Sequence, residues 1–111
     1  HYMEEAERLC DELVIMDRGR ILDQGTPRAL ILRHVEPEVI EIRGAPDAAL
    51  GRLEGQPDCR LERMGTSLYC YTRDGRPLID TLQEDHTITF LHRPAGLEDV
   101  FLKLTGRELR D

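Results

Sequence analysis

Between Pro37 and Arg93 the apolar residues switch between two periods, and the order of the switches constrains the fold more than any other feature. "EVIEIRG" (38–44) alternates as a strand, and "PDAALGRLEG" (46–55) carries Ala49, Leu50 and Leu53 at helical spacing. "CRLERM" (59–64) and "SLYCYT" (67–72) read as strands joined by a tight turn at Gly65-Thr66. "GRPLIDTLQED" (75–85) presents Leu78, Ile79 and Leu82 as one helical stripe, and "TITFLHR" (87–93) alternates again. The resulting order, β-α-β-β-α-β, is that of a ferredoxin-like α+β sandwich. A further helix over "GLEDVFLKLTG" (96–106) follows, with Leu97, Val100, Phe101 and Leu104 on one stripe.

Alternation also assigns faces, because successive strand side chains point to opposite sides. Ile40, Ile42, Leu61, Leu68, Cys70, Ile88 and Phe90 are expected to face the two helices. Val39, Glu41, Arg60, Glu62, Met64, Tyr69, Tyr71, Thr89 and Leu91 then share the other face, which this architecture leaves open unless something covers it.

Ahead of this block, Met3, Ala6, Leu9 and Cys10 recur at helical spacing, with Glu4, Glu5, Glu7 and Arg8 outside. "LVIM" (13–16) is a continuous apolar run of the kind found in a fully buried strand. "DRGR" turns the chain into a second strand, "ILDQG". Thr26 and Pro27 suit the cap and first position of a helix, "PRALILRH", apolar through Leu30, Ile31 and Leu32.

The net charge of −7 and pI of about 5.1 give no basic face for nucleic acid or an anionic membrane. No apolar run approaches the roughly 20 residues that cross a bilayer. Cys10, Cys59 and Cys70 contain no close CxxC pair and read as small buried residues of a reducing compartment rather than disulfides or a zinc site. His34, His86 and His92 sit in no ligand or nucleophile pattern, and Glu84-Asp85 read as a solvated helix end. Tyr69 and Tyr71 on one sheet face could stack bases as in RNA-recognition folds. Glu41 and Glu62 on that same face oppose it, which leaves a packing or dimer contact. A histidine at position 1 reads, by position alone, as a solvated or appended residue.

The first third of the chain resembles ATP-binding subunits of ABC transporters. The similarity runs through His1, "YMEEAERLCD", "LVIM", "DRGRI" and "GTP" opening a helix. "LEDVFLKLTGREL" resembles the tail of such subunits in type-2 exporters of the drug-resistance and polysaccharide-export kind. The resemblance implies that His1 is the switch histidine, which reaches the γ-phosphate of ATP and helps hold the attacking water. An imidazole N–H suits that role, since it can donate to a phosphate oxygen as charge develops. The chain contains no GxxxxGK[ST] phosphate loop, and the resemblance reveals no Walker B aspartate and no signature motif. Phosphoryl transfer needs these parts together, so the chain is expected to belong to an ATPase without being one.

The expectations are therefore these. Residues 1–34 are the last elements of a nucleotide-binding domain, and 35–111 an accessory domain that regulates or stabilises a dimer. ATP and magnesium serve the parent subunit, which drives export through a membrane permease at the inner face of the cell membrane. The homodimer contact is placed on Val39, Arg60, Glu62, Met64, Tyr69, Tyr71 and Leu91. The alternative is a sensing domain holding a small molecule between subunits, in a pocket at Met64, Tyr69 and Tyr71.

Overall fold

The computed structural model describes residues 2–9 and 11–106, so His1 and Cys10 lie outside the described residues. The element order is α1 (Tyr2–Leu9), β1 (Leu13–Asp17), β2 (Arg20–Gly25), α2 (Pro27–His34), β3 (Glu38–Gly44), α3 (Pro46–Leu53), β4 (Arg60–Met64), β5 (Ser67–Thr72), α4 (Arg76–Leu82), β6 (Thr89–Pro94) and α5 (Leu97–Thr105). They divide into two compact units. One runs from Glu36 to Pro94; the other joins the residues up to Val35 with those from Ala95 onward.

The unit from Glu36 to Pro94 is the ferredoxin-like sandwich. Its sheet has the order β4-β5-β3-β6, and every neighbouring pair is antiparallel. The β4–β5 hairpin closes on Gly65, whose φ of +60° is the positive value that the first central position of a two-residue loop requires. Ile40, Ile42, Leu68 and Cys70 meet Ala49 and Leu53 from α3 and Leu78 and Leu82 from α4, with Ile88 completing the core. Leu61 and Phe90 pack against its margin. The inward set expected from alternation is thus the observed one, although β6 starts at Thr89 and Ile88 belongs to the preceding turn. The β3–β6 register also shifts between Ile42 and Gly44. At the far end of β3, Glu38 Oε1 accepts the Gly75 N–H at 3.1 Å and meets His92 Nε2 at 2.7 Å, fixing the entry to α4.

The second unit is built from α1, the β1–β2 hairpin, α2 and α5. Arg18 and Gly19, at φ +51° and +76°, form the hairpin loop, because a two-residue loop of this hand needs positive φ at both centres. Thr26 Oγ1 accepts the Ala29 N–H at 3.1 Å and caps α2, with Pro27 in its first turn. Ile15, Leu30, Val35, Leu97 and Val100 form the core, joined by Met3, Ala6, Leu13, Ile31, Phe101 and Leu104. At the start of α5 the Asp99 carboxylate accepts the Gly96 N–H at 2.8 Å. Glycine has no side chain to return that bond, and Glu7 of α1 supplies the acceptor instead, taking the Leu97 N–H at 2.6 Å.

Three expectations change here. β1 is not buried throughout: Ile15 is inside, but Val14 and Met16 are 48% and 54% exposed. A continuous apolar run hides the alternation that a two-stranded hairpin imposes, since one of its faces meets the core and the other does not. The last helix, placed by sequence order with residues 35–111, packs instead with α1 and α2, through Leu97 and Val100 against Leu30 and Val35. Leu9 and Leu32, expected on inward stripes, are 76% and 68% exposed.

Candidate functional site

The sheet face turned away from α3 and α4 carries the residues expected to make an interface, and strand register arranges them in rows. Arg60 pairs with Tyr71, Tyr71 with Val39 and Val39 with Arg93 across the four strands. The next row runs Glu62, Tyr69, Glu41, Leu91. Met64 stands opposite Ser67 at the end of β4. Alternation alone had placed all these side chains on one face, and pairing brings them into contact range.

The first row is internally satisfied. Arg60 donates from Nε to Glu36 Oε2 at 3.0 Å and from Nη2 to Glu36 Oε1 at 3.1 Å, a two-point grip on one carboxylate. Its Nη1 reaches Glu62 Oε1 at 2.9 Å, and its Cζ lies 4.3 Å from the centre of the Tyr71 ring. Burial disfavours the guanidinium's charge, but Glu36 and Glu62 more than offset this and raise its pKa. Val39 and Tyr71 are fully buried, 0% and 1% exposed, so they present no surface to a second copy. Arg60, expected in the homodimer contact, pairs with Glu36 and Glu62 of its own chain. An exposed row of mixed residues was the expectation; short-range charge pairing within the sheet is what the register permits.

The second row remains accessible. Leu91 is 42% exposed, while Tyr69, Met64 and Glu62 are half-buried. Glu41 is held by Arg93 at 2.5 Å and Arg43 at 3.0 Å. The Tyr69 and Tyr71 rings stand 6.5 Å apart and tilted by 59°, with Arg60 already on a face of Tyr71. A flat ligand or base would need that ring face, so the geometry disfavours the stacking pocket.

Glu36 and Arg93 are the contributors that sequence reasoning overlooks. Arg93 could have been found by continuing the alternation of Thr89 and Leu91 by one more step. Glu36 precedes β3 and carries no local signal. Of the remaining histidines, His34 meets Asp23 at 2.5 Å, His92 meets Glu38, and His86 is exposed. Glu84 pairs with Arg52 at 2.8 Å, and Asp85 accepts from Thr87 in the following turn.

The chain has no phosphate loop, and among the described residues no three His, Cys, Asp or Glu side chains are grouped to hold a metal. His1 lies outside the described residues. No helix among the described residues is long and apolar enough to cross a membrane.

Residues 47–106, more than half of the chain, match the family described as nodulation factor export protein NodI, C-terminal domain. The chain belongs to this family. It is similar over its whole length to the Nod factor export ATP-binding protein I of Ralstonia nicotianae, at 50% identity over 36% of that protein. The corresponding proteins of Cupriavidus pinatubonensis and Mesorhizobium japonicum are 46% and 45% identical, over 34% and 33% of their lengths. The chain therefore spans about a third of these curated relatives. The ferredoxin-like unit from Glu36 to Pro94, and α5 up to Gly106, hold almost all of the residues matched to the NodI C-terminal domain. Of the paired charges on the sheet face, Arg60, Glu62 and Arg93 fall within the matched residues, whereas Glu36 and Glu41 precede them.

Proposed function

We propose that this chain is the C-terminal part of the ATP-binding subunit of an ABC exporter. In this reading ATP and magnesium are bound by parts of the subunit outside these residues. The observation that carries it is the alignment of the entire chain with ATP-binding export proteins at 50% and 46% identity. Residues 1–34 end the nucleotide-binding domain, with His1 as its switch histidine, and the ferredoxin-like unit serves dimerisation or regulation. The subunit works at the inner face of the membrane through a permease. The relatives' names make Nod factor the first cargo to test.

In the whole subunit, His1→Ala is expected to lower ATP turnover by roughly 10²-fold, the usual effect of removing one donor from a developing negative charge. Unchanged turnover would overturn the assignment of His1. Burial of Val39 and Tyr71 leaves the dimer contact to Leu91, Tyr69, Met64 and Glu62, with Leu91 the most exposed apolar member. Leu91→Arg should halve the mass measured by light scattering while leaving the circular dichroism spectrum unchanged. A folded Leu91→Arg/Tyr69→Glu variant that is still dimeric would move the contact elsewhere.

A further inference from the structure

Cys59 immediately precedes β4 and Cys70 lies within β5, yet their Sγ atoms are 2.8 Å apart, and both are free thiols. A disulfide requires about 2.05 Å, so less than about 1 Å of side-chain motion separates the pair from a bond. The register explains part of this proximity: Leu61 stands opposite Cys70, and Cys59 is therefore its diagonal neighbour on the same face. The rest comes from Asp58. Its backbone is held in the left-handed region at φ +54°, and its Oδ2 accepts the Thr72 hydroxyl at 3.1 Å and the Arg73 N–H at 2.9 Å. Those two bonds tie the residue before Cys59 to the end of the strand that carries Cys70. The turn is built to bring the thiols together.

The two thiols differ in access. Cys70 is fully buried in the core, whereas Cys59 is half-buried at its margin. We propose that Cys59 and Cys70 are a redox-active dithiol whose reversible oxidation to a disulfide staples the Asp58 turn to β5. The oxidant is a low-molecular-weight disulfide such as oxidised glutathione. The Cys59 sulfur attacks one of its sulfurs, forming a mixed disulfide and releasing one glutathione. The Cys70 sulfur then attacks Cys59 Sγ, forming the internal bond and releasing the second. The two thiol protons end on the two released glutathiones, so two thiols and one disulfide are exchanged for one disulfide and two thiols.

The hydrogen bond from Cys70 lowers the Cys59 pKa, against burial and the nearby Asp58 charge, and favours the attacking thiolate. The same bond is the main reason that the Cys70 pKa is raised, with burial adding to it. Once Cys59 is in a mixed disulfide its sulfur is no longer an anion, and that main restraint on Cys70 is removed. The attacking and resolving roles therefore follow from access and from the order of the two steps.

The test is to treat the whole protein under native conditions with millimolar oxidised glutathione, alkylate the remaining thiols and digest with trypsin. Cleavage after Arg52, Arg60, Arg63 and Arg73 places the two cysteines on separate peptides, Leu53–Arg60 and Met64–Arg73. The expected product is these two peptides linked, two hydrogens lighter than their sum, in most of the chains, and separated again by a phosphine reductant. Cys70→Ala should stop at a stable glutathione adduct on Cys59, and Cys59→Ser should leave Cys70 unmodified. A folded wild-type protein that accumulates the Cys59 adduct without the linked pair would overturn the proposal. So would Cys59 remaining alkylatable after exposed control thiols have been consumed.

Discussion

Replacing Arg60 with methionine tests whether the charge row on the sheet is structural. The arginine side chain is 27% exposed and its main partner Glu36 is 21% exposed, so solvent screens the pair only partly. Hydrogen bonds to a charged partner contribute about 1.5–3 kcal/mol when broken from one side. The stacking on Tyr71 adds roughly 0.5–1 kcal/mol, while the more exposed contact with Glu62 adds about 0–1 kcal/mol. Methionine keeps an apolar stem against the ring, so the net expectation for Arg60→Met is a loss of about 2 kcal/mol. Arg60→Lys keeps the charge without the planar fork, and should lose about 1 kcal/mol. The decisive measurement is a double-mutant cycle with Glu36→Leu, by urea unfolding of residues 1–111 followed by circular dichroism. Breaking one partner leaves the other as a half-buried unpaired charge, whereas removing both leaves only the more exposed Glu62 without Arg60, so the double variant should regain at least about 1 kcal/mol over the sum of the singles. Strict additivity would refute the reasoning, since it would mean that each charge is satisfied by water.

Three further outcomes are expected. Leu30→Ala empties a fully buried position in the core of the α2 unit and should cost about 2–5 kcal/mol, while Leu32→Ala, at 68% exposure, should stay within about 0.5 kcal/mol by the same denaturant titration. Thr26→Ala removes the acceptor for the Ala29 N–H and should cost about 1 kcal/mol, with Thr26→Asp restoring most of it. Hydrogen bonds from His34 first, then from Arg33 and the Gln24 N–H, lower the Asp23 pKa from 3.8 to about 2. The stabilisation is therefore present in full above the unfolded value and is lost as pH falls through about 2. Acid titration of stability should be less steep between about pH 4 and 2 in Asp23→Asn.

Much of the sandwich was legible because its signals are local. Period-two alternation in "EVIEIRG" and "SLYCYT" depends only on strand geometry, so Ile40, Ile42, Leu68 and Cys70 could be placed inward without knowing their partners. The hairpin loops were legible for the same reason, since Gly19 and Gly65 meet a backbone requirement that acts within four residues. Where the local signal was degenerate the reading failed. The continuous run "LVIM" reads the same whether both faces or one face of the strand is covered, and only Ile15 is buried within it.

The sequence by itself determined the order of elements, the β-α-β-β-α-β class and the two faces of the sheet, since these follow from periodicity along the chain. Tertiary structure alone decided that α5 packs with α1 and α2. It also decided that Arg60 closes on Glu36, and that Cys59 meets Cys70. Each of these joins residues whose separation in sequence says nothing of their distance. That distance is set by strand register, by the left-handed turn at Asp58 and by which apolar stripe finds a matching core.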